Sequence, residues 1–146
     1  MNTQLGLVLA AILVGIGPAL TVGTGPARAV NDCDFEFSTS HPDVYKPQIT
    51  GRGLAGCDTP PDSHQVQLAL EYEQGGRWVV ASVKTDNTVP PPFRAGGHRY
   101  EVSAACYAGT WRMTVAIRGA IQGHTFQFED HSGTVDVPAS VCHPRF

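Results

Sequence analysis

The best cluster of histidines and carboxylates in the sequence comprises His124, Glu129, Asp130 and His131. All four side chains are potential ligands of a metal ion. Successive side chains of a β-strand point to opposite faces, so in a strand through this stretch His124 points away from Glu129 and His131. Because the four groups do not converge, we predict no metal site and no bound cofactor, and we keep a metal-binding protein as an alternative.

A second stretch, Asp62-Ser63-His64, contains the residue types of a nucleophilic triad. Side chains that are adjacent in sequence project in different directions, so they cannot form the required series of hydrogen bonds. The sequence also has no G-x-S-x-G elbow, no H-E-x-x-H motif and no glycine-rich phosphate loop. We therefore predict that the protein is not an enzyme, and keep an enzymatic protein as an alternative.

The N-terminal part of the chain has the pattern of a secretory signal peptide. Residues 5–20 are uncharged and mostly apolar, and Ala27-Arg28-Ala29 forms an A-x-A cleavage site. We predict a signal peptide over residues 1–29, cleaved after Ala29, followed by a single domain over residues 30–146; an uncleaved anchor is the alternative. No later apolar run has spanning length, so we expect a secreted or cell-envelope protein without stable membrane insertion after cleavage.

The predicted domain contains four cysteines: Cys33, Cys57, Cys106 and Cys142. An even number in a short exported chain indicates two disulfides. Three pairings are possible, and we favour Cys33 with Cys57 and Cys106 with Cys142, because each bridge closes a moderate loop and together they tie down both ends of the domain. A zinc site is the competing interpretation, but the sequence has no C-x-x-C motif and its cysteine spacings are wide.

Charge restricts the class of partner. The formal net charge of the whole chain is −3, and removal of Arg28 with the leader makes the domain slightly more acidic. This balance argues against nucleic acid and against an anionic membrane surface.

Beyond residue 30 the apolar residues recur with a period of two, which is typical of β-strands. The clearest hairpin joins strands within residues 66–72 and 78–83 through Gly75-Gly76. A second hairpin is predicted from residues 100–106 and 111–118. Further turns are expected at residues 51–53, 58–62, 119–123 and 131–133. The pattern predicts an all-β fold, an antiparallel immunoglobulin-like β-sandwich of seven or eight strands, with a small barrel as the alternative.

The longest irregular segment expected is residues 85–99, which contains Pro90, Pro91, Pro92, Phe93 and Arg94. Three consecutive prolines favour a stiff polyproline II conformation. The segment is either a crossover between the two sheets or a projecting binding loop. If it binds a partner, Phe93 is the expected anchor and Arg94 the polar contact.

Each of the two tryptophans, Trp78 and Trp111, begins a predicted strand directly after a turn. We expect both to fill the ends of the core. The alternative is that they face outward and anchor a protein or sugar partner.

The stretch Cys106-Tyr107-Ala108-Gly109-Thr110-Trp111-Arg112, continuing to Phe126 and Phe128, resembles small exported proteins of actinomycetes that carry two disulfides and have no assigned activity. The resemblance implies export and no particular function. The subtilisin-inhibitor family is not matched, because no cysteine is followed by proline. The chromoprotein family related to neocarzinostatin is not matched either, because its bridges close very short loops.

These observations predict a secreted or cell-envelope, non-enzymatic binding module whose partner is a protein. The expected contact residues are Pro90, Pro91, Pro92, Phe93 and Arg94. The alternative function is a secreted protease inhibitor that acts through the same proline-rich loop.

Overall fold

The computed structural model describes residues 32–145, so the predicted signal peptide lies outside the described residues. The described part forms eight strands: β1 (Cys33–Phe37), β2 (Asp43–Tyr45), β3 (Gln48–Cys57), β4 (Ser63–Gln74), β5 (Arg77–Asp86), β6 (His98–Ala105), β7 (Gly109–Ile121) and β8 (His124–Val137). A short 3-10 turn spans Phe93–Ala95. Within residues 32–145, no helix has the length and apolar character needed to cross a membrane.

The strands form two antiparallel four-stranded sheets. In sheet A, β3 pairs with β6 along one edge, and with β1 and β2 along the other. In sheet B, the order is β5-β4-β7-β8. The predicted all-β fold in two sheets, and the predicted number of strands, are confirmed.

The hydrophobic core lies between the two sheets, where alternate residues of each strand point inward. Its largest fully buried side chains come from β3, β4 and β7: Ile49, Val66, Leu68, Leu70, Trp111, Met113, Val115 and Ile117. The prediction that Trp111 fills the core is confirmed. The same prediction for Trp78 is wrong, because the β4–β5 register places Trp78 opposite Glu73, on the face of sheet B that points away from the core.

Both favoured disulfides are confirmed. Cys33 and Cys57 are directly opposite each other on β1 and β3. Cys106 lies just after β6 and Cys142 just after β8, so the second bridge ties the chain end to the crossing between the sheets. In the loop-entropy description each bridge stabilises the fold by about 3 to 4 kcal/mol.

The first predicted hairpin is confirmed as β4 and β5, with Gly75 and Gly76 at positive φ in the turn. The second is wrong, because β6 pairs with β3 in sheet A whereas β7 pairs with β4 in sheet B. Alternation shows that a segment is a strand and which of its faces is apolar, but it does not identify the partner strand. Residues 106–108 therefore connect two sheets, not two neighbouring strands.

Three predicted turns are also corrected. Residues 51–53 lie inside β3, and residues 131–133 lie inside β8. β8 has an irregularity there, at which the Met113 amide donates to Ser132 Oγ at 2.8 Å. β7 continues to Ile121, so the predicted break at 119–123 reduces to a turn at Gln122 and Gly123, both at positive φ.

The predicted irregular segment is shorter than residues 85–99, because β5 ends at Asp86 and β6 begins at His98. The segment leaves sheet B and enters sheet A. Its interpretation as a crossover between the sheets is confirmed.

Candidate functional site

The face of sheet B that points away from the core carries a shallow depression of about 640 Å³, which we call the valley. Its floor consists of small side chains on the two central strands: Ala69, Thr114 and Ala116. One wall is formed by Val80 and Val83 of β5, and the other by Glu129 and His131 of β8. A second depression of about 460 Å³ adjoins it and shares Gln67, Ala116 and Glu129. Small residues between two taller walls leave room for a ligand.

The apolar wall depends on an irregularity in the β4–β5 pairing. In a regular strand, residues 80 and 83 point to opposite faces. The register shifts between Leu70 and Glu71, so that Val80 lies opposite Glu71 and Val83 opposite Ala69. Both valines therefore face outward, with 54% and 55% of their surface exposed. The solvent face of an antiparallel sheet is usually polar, so this exposed pair is an unusual feature.

A hydrogen-bonded arginine lies in the valley, and another lies in the adjoining depression. In the valley, Arg112 Nε donates to Glu71 Oε2 at 2.8 Å, and its guanidinium lies 4.2 Å from the ring centre of Trp78. In the adjoining depression, Arg118 Nε donates to Gln65 Oε1 at 2.7 Å. Within residues 32–145, Glu129 has no ion-pair partner. The valley thus combines one apolar wall with one acidic wall, and the two arginines beside it are already engaged.

The proline-rich loop lies against sheet A. Pro90 is buried, and the ring of Phe93 covers Gly56 of β3 so closely that a Cβ atom at Gly56 would lie 2.7 Å from Phe93 Cγ. The Cys57 amide donates to the Pro91 carbonyl at 3.4 Å, which continues the pairing along β3 beyond His98, the first residue of β6. Pro92 is half-buried, and Arg94 is exposed. The role of these residues as a partner contact stays a prediction.

A polar cluster with two buried and two partly exposed members, which the sequence reasoning missed, lies between the two sheets. It comprises His64 of β4, Asp86 at the end of β5, and His98 and Tyr100 of β6. His64 and Tyr100 are each only 3% exposed, and neither ring nitrogen of His64 nor the Tyr100 hydroxyl has a hydrogen-bond partner among the described residues. His98 Nε2 lies 3.7 Å from Asp86 Oδ2. His64 lies two and four residues before Val66 and Leu68, so its side chain points to the same face of β4 as theirs. This alternation is the sequence signal that predicts His64 in the core.

Burial shifts the pKa of the two enclosed members of this cluster, His64 and Tyr100. Desolvation lowers the pKa of His64 and raises the pKa of Tyr100, because the charged form of each group is disfavoured away from water. Hydrogen bonding to Thr88 lowers the pKa of Asp86. His64 is therefore held neutral at neutral pH.

The residues considered for metal binding or catalysis do not assemble into such a site. Asp62 Oδ2 accepts a hydrogen bond from the Gly123 amide at 3.2 Å, and Ser63 is exposed whereas His64 points into the core. Within residues 32–145, one group of three ligand-type side chains lies within 4.8 Å: Cys33, Cys57 and His64. Its two sulfurs are bonded to each other, so they are not free to coordinate an ion.

We expect the stability of the domain to fall with decreasing pH because of His64. Well above the unfolded-state pKa of about 6.5, the imidazole is neutral in both the folded and the unfolded chain. Below that value, the unfolded chain takes up a proton that folded His64 resists. Stability then falls by at most about 1.4 kcal/mol per pH unit until the lower, folded-state pKa is reached.

Urea titrations between pH 5 and 8 measure this slope. His64→Leu should flatten it, and the exposed control His124→Gln should retain it. Equal slopes in His64→Leu and in the unmodified protein would show that His64 is not the responsible group.

No family model, no curated protein and no solved structure matches this chain. The candidate site therefore has to be interpreted from its own geometry.

Proposed function

We propose that this chain is an exported, non-enzymatic binding module that holds an extended segment of a partner protein in the valley. The observation that carries the proposal is the pair of exposed valines, Val80 and Val83, beside a floor of small side chains. Exposed apolar side chains that adjoin each other and have a polar rim are typical of an interaction surface.

The shape of the valley favours an extended chain. Its floor follows the two central strands, and a polypeptide strand is narrow enough to lie between walls on β5 and β8. The free edges of sheet B are less suited to strand addition. β5 carries a register irregularity, and β8 carries Glu129, Asp130 and His131 along its length; such features discourage edge-to-edge pairing.

Charge narrows the type of segment. Glu129 is exposed and without an ion pair in residues 32–145, whereas Arg112 is bonded to Glu71 and Arg118 to Gln65. An occupant with apolar side chains on one side and a basic side chain on the other would complement both walls.

Three features support export and an immunoglobulin-like relationship. Disulfides persist in oxidising compartments, and this domain has two; the leader pattern in residues 1–29 agrees with secretion or location in the cell envelope. Sheet B has the strand order β5-β4-β7-β8. It faces sheet A, in which β3 pairs with β6 on one side and with both β1 and β2 on the other. This arrangement is the one expected of an immunoglobulin-like sandwich that lacks one edge strand.

The alternative, a protease inhibitor, requires a loop whose side chains project toward the protease. Pro90 is buried and Phe93 packs on Gly56, so two of the five residues considered for that role face the domain itself. We therefore place the binding surface in the valley, and a panel of secreted serine proteases tests the alternative through stoichiometric loss of activity.

The test is affinity capture with the oxidised domain, residues 30–146, as bait against the culture supernatant and an envelope extract of the source organism. Val80→Glu with Val83→Glu places two charges in the apolar wall. The matched control is Val89→Glu, which charges another exposed valine that lies outside the valley.

We expect the unmodified domain and the Val89→Glu control to retain the same partner. The double valley variant should retain at least ten-fold less of it. Retention of the same partner by the valley variant would overturn the proposed surface.

A further inference from the structure

The C-terminal tail places a cation against a cluster of aromatic rings at one end of the sandwich. The guanidinium carbon of Arg145 lies 3.6 Å from the ring centre of Tyr72, 4.7 Å from that of Tyr107 and 5.7 Å from that of Trp111. We call these three rings the aromatic cage. All three distances are within the range of about 6 Å over which a cation is attracted to the face of a ring.

The cage is built by separate elements of the fold. Tyr72 lies near the end of β4, Trp111 near the start of β7, and Tyr107 in the crossing between β6 and β7. The Trp111 indole Nε1–H donates to the Tyr107 carbonyl at 2.9 Å, and the rings of Tyr72 and Trp111 are 5.6 Å apart. Trp111 has no exposed surface, so it forms the back of the cage, whereas the two tyrosines are half-buried at its opening.

The side chain of Arg145 contacts the three rings of the cage. Within residues 32–145, it has no ion pair and no hydrogen bond from its side chain. Ion pairs at the surface contribute little to stability, whereas a cation over an aromatic face is attracted by the ring. The position of Arg145 over three rings is therefore a direct indication of the kind of group that the cage accepts.

The tail holds Arg145 near the cage without fixing it there. Cys142 is bonded to Cys106, and the His143 carbonyl accepts a hydrogen bond from the Ala108 amide at 2.9 Å. Arg145 lies beyond both anchors and is exposed at the surface. A tether of this length gives its guanidinium an effective concentration of the order of millimolar at the cage.

We propose that the aromatic cage is a binding site for the guanidinium group of an arginine side chain from a partner protein, and that Arg145 is its built-in competitor. The partner's arginine enters when Arg145 leaves. This site is distinct from the valley, and its existence does not depend on the function proposed above.

The test uses the oxidised domain, residues 30–146, with Arg145→Ala, and a blocked arginine, N-acetyl-arginine methylamide, as the probe. Two-dimensional nitrogen–proton NMR reports on the indole N–H of each tryptophan. The Trp111 signal should shift in a saturable manner in the variant, with an apparent affinity at least ten-fold higher than in the unmodified protein. The Trp78 signal should not move, because that ring lies outside the cage.

Two controls separate cation binding from other effects. Blocked citrulline has the same shape without the positive charge and should cause no shift. Tyr72→Leu, added to Arg145→Ala, should abolish the shift caused by blocked arginine. Arg145→Gln is a second variant that keeps a polar side chain on the tail, and it should behave like Arg145→Ala.

The proposal is overturned if Arg145→Ala and Arg145→Gln keep the native spectrum and neither shows a saturable shift of Trp111. It is also overturned if citrulline shifts Trp111 as arginine does, or if the unmodified protein binds blocked arginine as tightly as the variants do. Without a saturable shift of Trp111 in the variants, Arg145 only covers the rings. Equal binding of blocked arginine by the unmodified protein shows that Arg145 does not compete for the cage.

Discussion

Replacing Gly53 with alanine is expected to destabilise the domain by about 3 kcal/mol, at the upper end of the usual cost of overpacking a core. A Cβ atom at this position would lie 2.6 Å from Cε1 of Phe35. The Phe35 ring has little freedom to move aside, since it packs edge-on against Phe37 at 5.2 Å and also contacts Tyr100. Thermal or urea unfolding of Gly53→Ala measures the loss.

This variant also decides between two descriptions of the segment. If residues 51–53 formed a turn with ordinary backbone angles, alanine would stabilise by about 0.4 to 1 kcal/mol, because it restricts the unfolded chain. Shortening the opposing side chain, in Gly53→Ala with Phe35→Leu, should recover part of the loss. A neutral or stabilising effect of Gly53→Ala alone would contradict the placement of Gly53 inside β3.

Replacing Phe93 with alanine is expected to lower the stability of the domain by about 2 kcal/mol, because the ring is half-buried over Gly56 and its removal returns apolar surface of both residues to water. Arg94→Ala is the matched control, since Arg94 is the next residue and is exposed; its effect should stay within about 0.5 kcal/mol. Urea denaturation of both variants gives the comparison.

A projecting Phe93 that serves only a partner would behave differently. Its replacement would then leave the unfolding midpoint unchanged, as for Arg94→Ala. Equal midpoints for the two variants would therefore return the proline-rich loop to the role predicted from the sequence.

Features that depend on neighbouring residues were predictable from the sequence. The β4–β5 hairpin follows from alternation on each side of Gly75-Gly76, and the even number of cysteines indicated two disulfides, whose favoured pairing was one of three possible. The all-β class needs only the period of two. In each case the information lies within a short stretch or in the count of one residue type.

Features that depend on which strands are neighbours were not predictable in this way. β6 and β7 are consecutive and both alternate, yet they belong to different sheets. Gly51 and Gly53 have the composition of a turn, but they are glycines because Met113 and Phe35 occupy the space beside them. Nothing in a local pattern shows such a close approach from a distant strand.

The candidate site was missed for the same reason. Val80 and Val83 share a face only because the pairing with β4 shifts by one residue, and the sequence from 78 to 83 shows no interruption. Glu129 and His131 were considered as metal ligands, whereas in the structure they form the polar wall of the valley. The valley exists only once four strands are set side by side.

The most direct test of the proposed binding surface is site-specific photo-crosslinking. A photoreactive side chain is placed at position 83 in the valley, at position 94 in the proline-rich loop, or at position 89 as an exposed control, and each domain is irradiated with the captured partner. We predict that position 83 crosslinks to one segment of the partner, identified by mass spectrometry, and that positions 89 and 94 do not. Crosslinking from position 94 but not from position 83 would contradict the valley as the binding site.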